Sequence, residues 1–384
     1  MLEYSKLSYW EKDLFINDLD VIIVGGGIVG YSAAISLKEK YPTLKILILE
    51  RGYLPTGAST KNAGFACFGS PSELLDDLRN MSESEVTALI KKRYDGLQIL
   101  RRRCGDENID LQISGSHELF TDSKKDKELF ESVKEKLRHL NEIVEQATGI
   151  KENFSLSKAD FGFKNVNGLI FSKGEGQLHP GKMMRRLHEI AVAQGISIFF
   201  GSEVQNWSVN TNDEIEVATS HGTLKTSKLI LATNGFSKAI WPDAELNPAR
   251  GQVLVTEPLE NIKFEGTFHY DAGYVYFRNI GKRILIGGAR NLDLEGETTT
   301  DFKNSEIITG SLKNLLYEVL CPDSKPKIAY SWAGIMGVGN VRMPIIQEVE
   351  KNVFAGVRLG GMGVALGSLV GEKLAEMIEP NQRK

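Results

Sequence analysis

The chain has 384 residues, 41% apolar and 25% charged, which excludes a mainly disordered chain, a fibrous protein and a small disulfide scaffold. At about 150 residues per domain, this length predicts two domains, or three. Lys and Arg number 46 against 50 Asp and Glu, and a net charge of −4 gives no electrostatic case for nucleic acid or an anionic membrane as partner. The 38 glycines are about 10% of the chain, against roughly 7% in average proteins, and many sit in three short clusters.

Three cysteines (Cys67, Cys104, Cys321) lie far apart without a C-x-x-C pair, which argues against a disulfide framework or a structural zinc. The opening MLEYSKLSYWEKDLFINDLD places acidic and aromatic residues where a signal peptide is basic and then apolar. No apolar run approaches the roughly 20 residues of a membrane helix. The expectation is a soluble, cytoplasmic protein.

In chain order, Asp20-Val-Ile-Ile-Val-Gly25 reads as a strand buried on both faces of a parallel sheet. YSAAISLKEK after Gly30 has helical spacing, and KILILE (45–50) reads as a second buried strand, completing a βαβ unit. From Ser72 to about Gly149 the texture becomes charged and amphipathic, with Leu129, Val133, Leu137, Leu140 and Val144 at helical spacing. Ser82-x-x-Glu85 is a capping-box signature. Residues 110–121 and 167–172 alternate like strands. After His179-Pro180 comes a helix ending at Gly195, then strands SIFF and LILATNG. QVLVTEP, YVYFR and RILIGG suit an antiparallel sheet, and the chain closes with strand NVFAGV, turn LGGMG and a final helix.

Gly25-x-Gly27-x-x-Gly30, with Ile28 and Val29 inside it, lies between the first strand and helix. Such glycines permit the tight turn, the approach of a pyrophosphate and close helix–strand packing, and the helix N-terminus favours the phosphates. Glu50 ends the second strand 20 residues after Gly30, where a carboxylate accepts from ribose hydroxyls. Dinucleotide binding is therefore expected. Arg51 and the loop GASTKNAGF follow directly, where a simple NAD fold would continue into another helix and strand. Later glycine sites at Ala232-Thr233-Asn234-Gly235 and Leu359-Gly-Gly-Met-Gly363 add two further contacts, which suits a long cofactor such as FAD.

GGGIVG, ERG, GASTKNAG, GQLHP, LILATNG, WAGI (332–335) and the C-terminal glycine helix occur in that order. Together they resemble the D-amino-acid oxidase, glycine oxidase and sarcosine oxidase superfamily of FAD-dependent oxidoreductases, across essentially the whole chain. The resemblance implies an α/β fold: a Rossmann-like FAD domain of the glutathione-reductase type, and an α+β substrate domain on an antiparallel sheet. Residues 1–72, 173–247 and 328–384 are assigned to the first, and 73–172 and 248–327 to the second. It implies that Gly25, Gly27 and Gly30 cradle the pyrophosphate and that Glu50 holds the ribose. Gly57, Ala58, Ser59, Thr60, Lys61, Asn62, Ala63 and Gly64 would run beside the pyrophosphate and flavin. Val204 would meet the adenine, and Gly360, Gly361, Met362, Gly363 and Val364 would face the ring.

The chain departs from its family at two points. Met336 stands where the family's carboxylate-binding arginine follows WAGI, and Val364 stands where sarcosine-type members place a lysine. Arg278, Arg290, Arg342 or Arg358 could substitute. Arg278 on YVYFR is expected either to touch substrate or to face outward paired with an acid, and Tyr276 is the hydroxyl candidate for orienting substrate. No cysteine lies in 328–345, so FAD is expected to be noncovalent; no metal is expected.

The leading expectation is oxidation of a C–N bond in a small amine or amino acid by hydride transfer to flavin N5, giving an imine that hydrolyses. Oxygen or another acceptor would reoxidise the flavin. This chemistry needs orientation more than a strong base. Oxidation of a 2-hydroxy acid is the nearest alternative; it requires a base, so a His or Glu beside Tyr276 would favour it. A flavin-binding protein without turnover is the third.

Overall fold

The computed structural model describes residues 3–379 and contains two eight-stranded sheets, the second of which packs one face against the cofactor loop. In the first, Val353–Val357, Gly222–Leu231, Leu19–Val24, Ile46–Glu50 and Ser197–Phe200 lie side by side and parallel. Alternation sorts their side chains. Val21, Ile23, Ile46 and Ile48 pack under the helices Ile28–Lys40 and Gly363–Met377, while Ile22, Val24, Leu47 and Leu49 face Val204, Ile215 and Val217. Both faces are covered, which is why these strands read as continuous apolar runs. Gly222–Leu231 changes partners along its length: its first half pairs antiparallel with Ile215–Thr219, its second half parallel with Leu19–Val24.

The second sheet runs Ile328–Val338, Asn247–Thr256, Arg283–Gly288, Val275–Ile280, Thr267–Tyr270, Ser116–Thr121, Val166–Ser172 and Phe154–Ser157. All neighbours are antiparallel except Thr267–Tyr270 with Ser116–Thr121. Its outer face carries a phenylalanine cluster in which Phe268 and Phe277 stack with centroids 4.7 Å apart, covered by Glu306–Leu315. Its inner face presents Val253, Leu285, Tyr276 and Trp332 to Ala63 and Phe65 of the cofactor loop. The amphipathic helix Lys124–Thr148 buries Val133, Leu140 and Val144 against Phe120 and Ile170, with Leu129 and Leu137 at the margin. Helix Glu83–Cys104 opens with the Ser82/Glu85 capping box.

Three boundaries differ from the sequence reading. Ile328–Val338, grouped there with the FAD-binding segments, pairs with Asn247–Thr256 in the second sheet. The division at 72/73 falls inside the helix Pro71–Asn80. Residues 110–115 form no strand beyond a single Gln112–Gln177 bridge, and the strand begins at Ser116. For Ile328–Val338, pairing with a strand distant in the chain overrides the local pattern. No helix among the described residues is long and apolar enough to cross a membrane.

Candidate active site

A cavity of about 550 Å³ runs between the two sheets. At one end the first strand turns at Gly25, whose φ of +111° suits glycine and whose added methyl would stand 2.6 Å from the Ala232 carbonyl oxygen. A methyl on Gly30 would collide with the Gly25 carbonyl, so the helix can seat on the strand only without one. Ile28 N–H donates to Ser59 Oγ at 3.0 Å, tying the helix start to the 57–61 loop. Glu50 Oε2 accepts from Gly26 N–H at 2.9 Å and Oε1 from Gly52 N–H at 3.0 Å. Arg51 lays its guanidinium 3.8 Å from the centroid of the Phe236 ring. Asn234 Oδ1 accepts from Arg358 and Leu359 N–H at 3.1 and 3.4 Å, joining the second glycine site to the third.

That third turn opens the helix Gly363–Met377, whose cap residue Met362 offers no side-chain hydrogen bond. Methyls on Gly360, Gly361 or Gly363 would meet nothing within 4 Å. An uncapped helix end beside open space is a fixed positive pole with room for a planar anion-forming ring. These features fit a flavin dinucleotide: Gly25, Gly27, Ile28 and Val29 would hold the pyrophosphate, Glu50 the ribose, and Gly360–Gly363 the ring.

Arg51, Gly57, Ala58, Ser59, Lys61, Asn62, Ala63, Val204, Ala232, Thr233 and Val364 also line this cavity. Gly30, Thr60, Gly64, Gly235 and Arg278 do not. Thr60 Oγ1 donates within its own loop to the Pro55 carbonyl at 2.5 Å, and Gly235 packs against the Met336 carbonyl. Gly64, with φ of +75°, is pressed against the Leu178 carbonyl and Pro180. Arg278 stands off the cavity wall. It shares Tyr276's face of the sheet and lies beside Gly64, 7% exposed, with no carboxylate partner among the described residues and a buried Nε without a hydrogen bond. Burial lowers its pKa to about 10.

The other end of the cavity is built from the inner face of the second sheet. Tyr276 lies across Gly287, where a methyl would stand 2.9 Å from its hydroxyl, and burial pushes the phenol up to about 12. Directly across the strand pair stands His269, and Phe65 packs edge-on to both rings. His269 Nε2 is 3.4 Å from Glu175 Oε2; Glu175 Oε1 in turn accepts from Phe68 and Gly69 N–H at 2.9 and 3.0 Å. Burial pulls the His269 pKa down, but Glu175, with the charges of Glu73 and Glu118, overcomes this and raises it above 6.5. Trp332 Nε1 donates to the Lys61 carbonyl at 2.9 Å, pinning the cofactor loop to this sheet.

Four arginines line this part of the cavity, and three are committed elsewhere. Arg93 pairs with Glu73 at 3.2 Å and donates to the Phe68 carbonyl. Arg342 is held by Asp77 at 2.6 Å and Asp76 at 2.9 Å, and Arg358 donates to the carbonyls of Met343 and Glu245. Arg290 meets only the Tyr274 ring, 5.6 Å away, and no described carboxylate pairs with it. Sequence reading missed His269, Glu175, Glu73 and Arg93. The GQLHP motif adjoined Glu175, and FHYD preceded YVYFR, but only the tertiary fold brings a strand residue, a turn residue and two helix residues together here.

The family profile described as FAD dependent oxidoreductase (DAO) matches residues 20–377. The chain belongs to this family. This oxidoreductase is 24% identical over 386 residues to a probable oxidoreductase, OrdL, of Haemophilus influenzae, covering 94% of this chain and 83% of that protein. Gamma-glutamylputrescine oxidoreductase of Escherichia coli is 23% identical over 375 residues, again covering 94% and 83%. Glycine oxidase from Geobacillus kaustophilus shares the fold at a TM-score of 0.73 and 19% identity, covering 94% of this chain and 95% of that one. L-proline dehydrogenase from P. horikoshii superposes at 0.74 with 16% identity, covering 94% and 93%. The oxidoreductase is accordingly an enzyme, and the reading of a flavin-binding protein without turnover is set aside.

Proposed function

We propose that the enzyme oxidises the C–N bond of a small amine or amino acid, with FAD held noncovalently. The observation that carries this is one cavity joining the glycine cofactor cradle to a wall holding Tyr276, His269 and the unpaired Arg290. Relatives named for sarcosine, gamma-glutamylputrescine and D-amino acids support a nitrogen-bearing substrate. When bound, the flavin supplies the two-electron acceptor that turns the amine into an imine, which water hydrolyses.

Arg290 would receive a substrate carboxylate, replacing the arginine absent at Met336. The neutral Tyr276 hydroxyl donates or accepts one hydrogen bond and orients the reacting end, while Phe65 and the sheet face exclude water. Noncovalent attachment is supported by Cys67, the cysteine of the cavity wall. Burial, with Glu175 and Glu73 nearby, holds it far above its usual pKa as an unreactive thiol.

Anaerobic addition of amines, amino acids and 2-hydroxy acids to the flavin-loaded enzyme tests the reading. Bleaching of the visible flavin band by an amine or amino acid is the expected outcome, and re-colouring in air would mark oxygen as acceptor. His269 beside Tyr276 favours a second reading, oxidation of a 2-hydroxy acid, whose hydroxyl proton needs a base. Bleaching by hydroxy acids alone would establish it.

A further inference from the structure

We propose that His269, held by Glu175, accepts the proton that the bound substrate must lose from its heteroatom before oxidation. On the C–N reading, on which this rests, that heteroatom is the ammonium nitrogen. A primary or secondary amine reaches neutral water as the cation, much as Lys does at a pKa of about 10.4. Its lone pair is then tied up, and the carbon cannot give up its C–H electron pair until a proton leaves the nitrogen. An acceptor in the cavity lets the abundant cation react and not only the scarce free amine.

Few groups qualify. Tyr276 is a neutral phenol, and Glu73 is already engaged by Arg93 at 3.2 Å and Arg342 at 3.6 Å. Glu118 lies off the cavity wall, covered by the Ser70 and Ser72 hydroxyls. His269 does line it. Its Nε2 is buried toward Glu175 without another partner, so Nδ1 is the ring nitrogen left for the cavity. Glu175 is itself off the wall and fully buried, with Oε1 fixed by two backbone N–H groups and Oε2 turned to the ring. It is a positioning residue that sets the ring's orientation and compensates the imidazolium that forms.

The step is a proton transfer. A substrate N–H bond breaks, an Nδ1–H bond forms, and the electron pair stays on the substrate nitrogen. One positive charge moves from substrate to imidazole beside a fixed carboxylate. The charged and titratable groups around the ring are Glu175 from the segment before Pro180, Glu73 from Pro71–Asn80 and Arg93 from Glu83–Cys104. Glu118 and Tyr276 flank it on the neighbouring strands, and Cys67 lies on the cofactor loop. Their balance places the deprotonation of His269 above pH 6.5.

The test uses the flavin-loaded enzyme, its H269N and E175Q variants, and whichever panel compound bleaches the flavin. Anaerobic reduction is followed from pH 5.5 to 9.5, alongside NMR titration of the ring in histidine-labelled protein. Wild type should show a rising limb above pH 6.5 that matches the His269 ring titration. H269N should lose that limb and at least tenfold in reduction rate; E175Q should keep the limb but move it to lower pH. A uniform loss at all pH values with the limb unmoved would mean a purely structural role and overturn the proposal, as would a His269 ring that does not titrate. Should H269N fail to retain flavin, E175Q and the ring titration decide. If no amine bleaches the flavin the C–N reading fails by itself, and the limb is then read with the hydroxy acid that does.

Discussion

Glu50 Oε2 accepts the Gly26 N–H at 2.9 Å, so the acid at the end of the second strand braces the glycine turn at the end of the first. The same carboxylate faces the cavity and reaches Gly52 with its other oxygen. Glu50→Ala removes the acceptor for two backbone donors and the ribose partner together. Hydrogen bonds to a charged group are worth about 1.5–3 kcal/mol. FAD affinity should therefore fall about ten- to a hundredfold, measured by flavin fluorescence on titrating the apoprotein.

Two glycines separate packing from cofactor contact. Gly30→Ala drives a methyl into the Gly25 carbonyl and should lower apoprotein stability by about 1–3 kcal/mol in denaturant unfolding. Gly361→Ala meets nothing within 4 Å and should leave apoprotein stability within about 0.5 kcal/mol while weakening flavin binding. Equal stability loss in both variants would contradict the assignment of Gly361 to the cofactor.

Arg290 should discriminate substrates by their carboxylate. Losing one charge-assisted pair costs about 1.5–3 kcal/mol, so Arg290→Ala should raise KM about ten- to a hundredfold for a carboxylate-bearing amine. The same amine without its carboxylate should change by less than about threefold. Parallel loss on both compounds would place the carboxylate elsewhere.

His117 provides a stability signal independent of the site. Burial lowers its pKa from 6.5 to about 4, with its ring stacked on Phe268 and edge-on to Phe161. The folded state holds the neutral ring, so its contribution is complete above pH 6.5 and is lost as pH falls through 4. His117→Phe should flatten the decline of Tm between pH 6.5 and 4, leaving flavin content at pH 8 unchanged. A wild-type slope retained in the variant would assign the acid sensitivity to other groups.

Much of the cofactor end was legible because its signals are local. A buried strand, three glycines, a helix and an acid 20 residues on are fixed by short-range chain geometry, and Val21–Val24 and Ile46–Glu50 fold as that pattern requires. The substrate end was only partly legible. Tyr276 could be found from YVYFR, but the same strand left Arg278 open between substrate contact and an outward ion pair, and only the fold buries it beside Gly64. The strand at 328–338 was grouped by its place in the chain, although its ten-residue pairing with Asn247–Thr256 decides its sheet.

The sequence by itself determined the nucleotide-binding unit and the family, since continuous apolar runs and glycine spacing act between neighbours along the chain. Tertiary structure alone decided which charged groups are free to act. Arg342 is consumed by Asp76 and Asp77 while Arg290 is not, and His269 meets Glu175 only because the fold lays the turn before Gly176–Gln177 against the strand Thr267–Tyr270. Ion-pair competition and burial depend on distances through space, and chain order does not encode those distances.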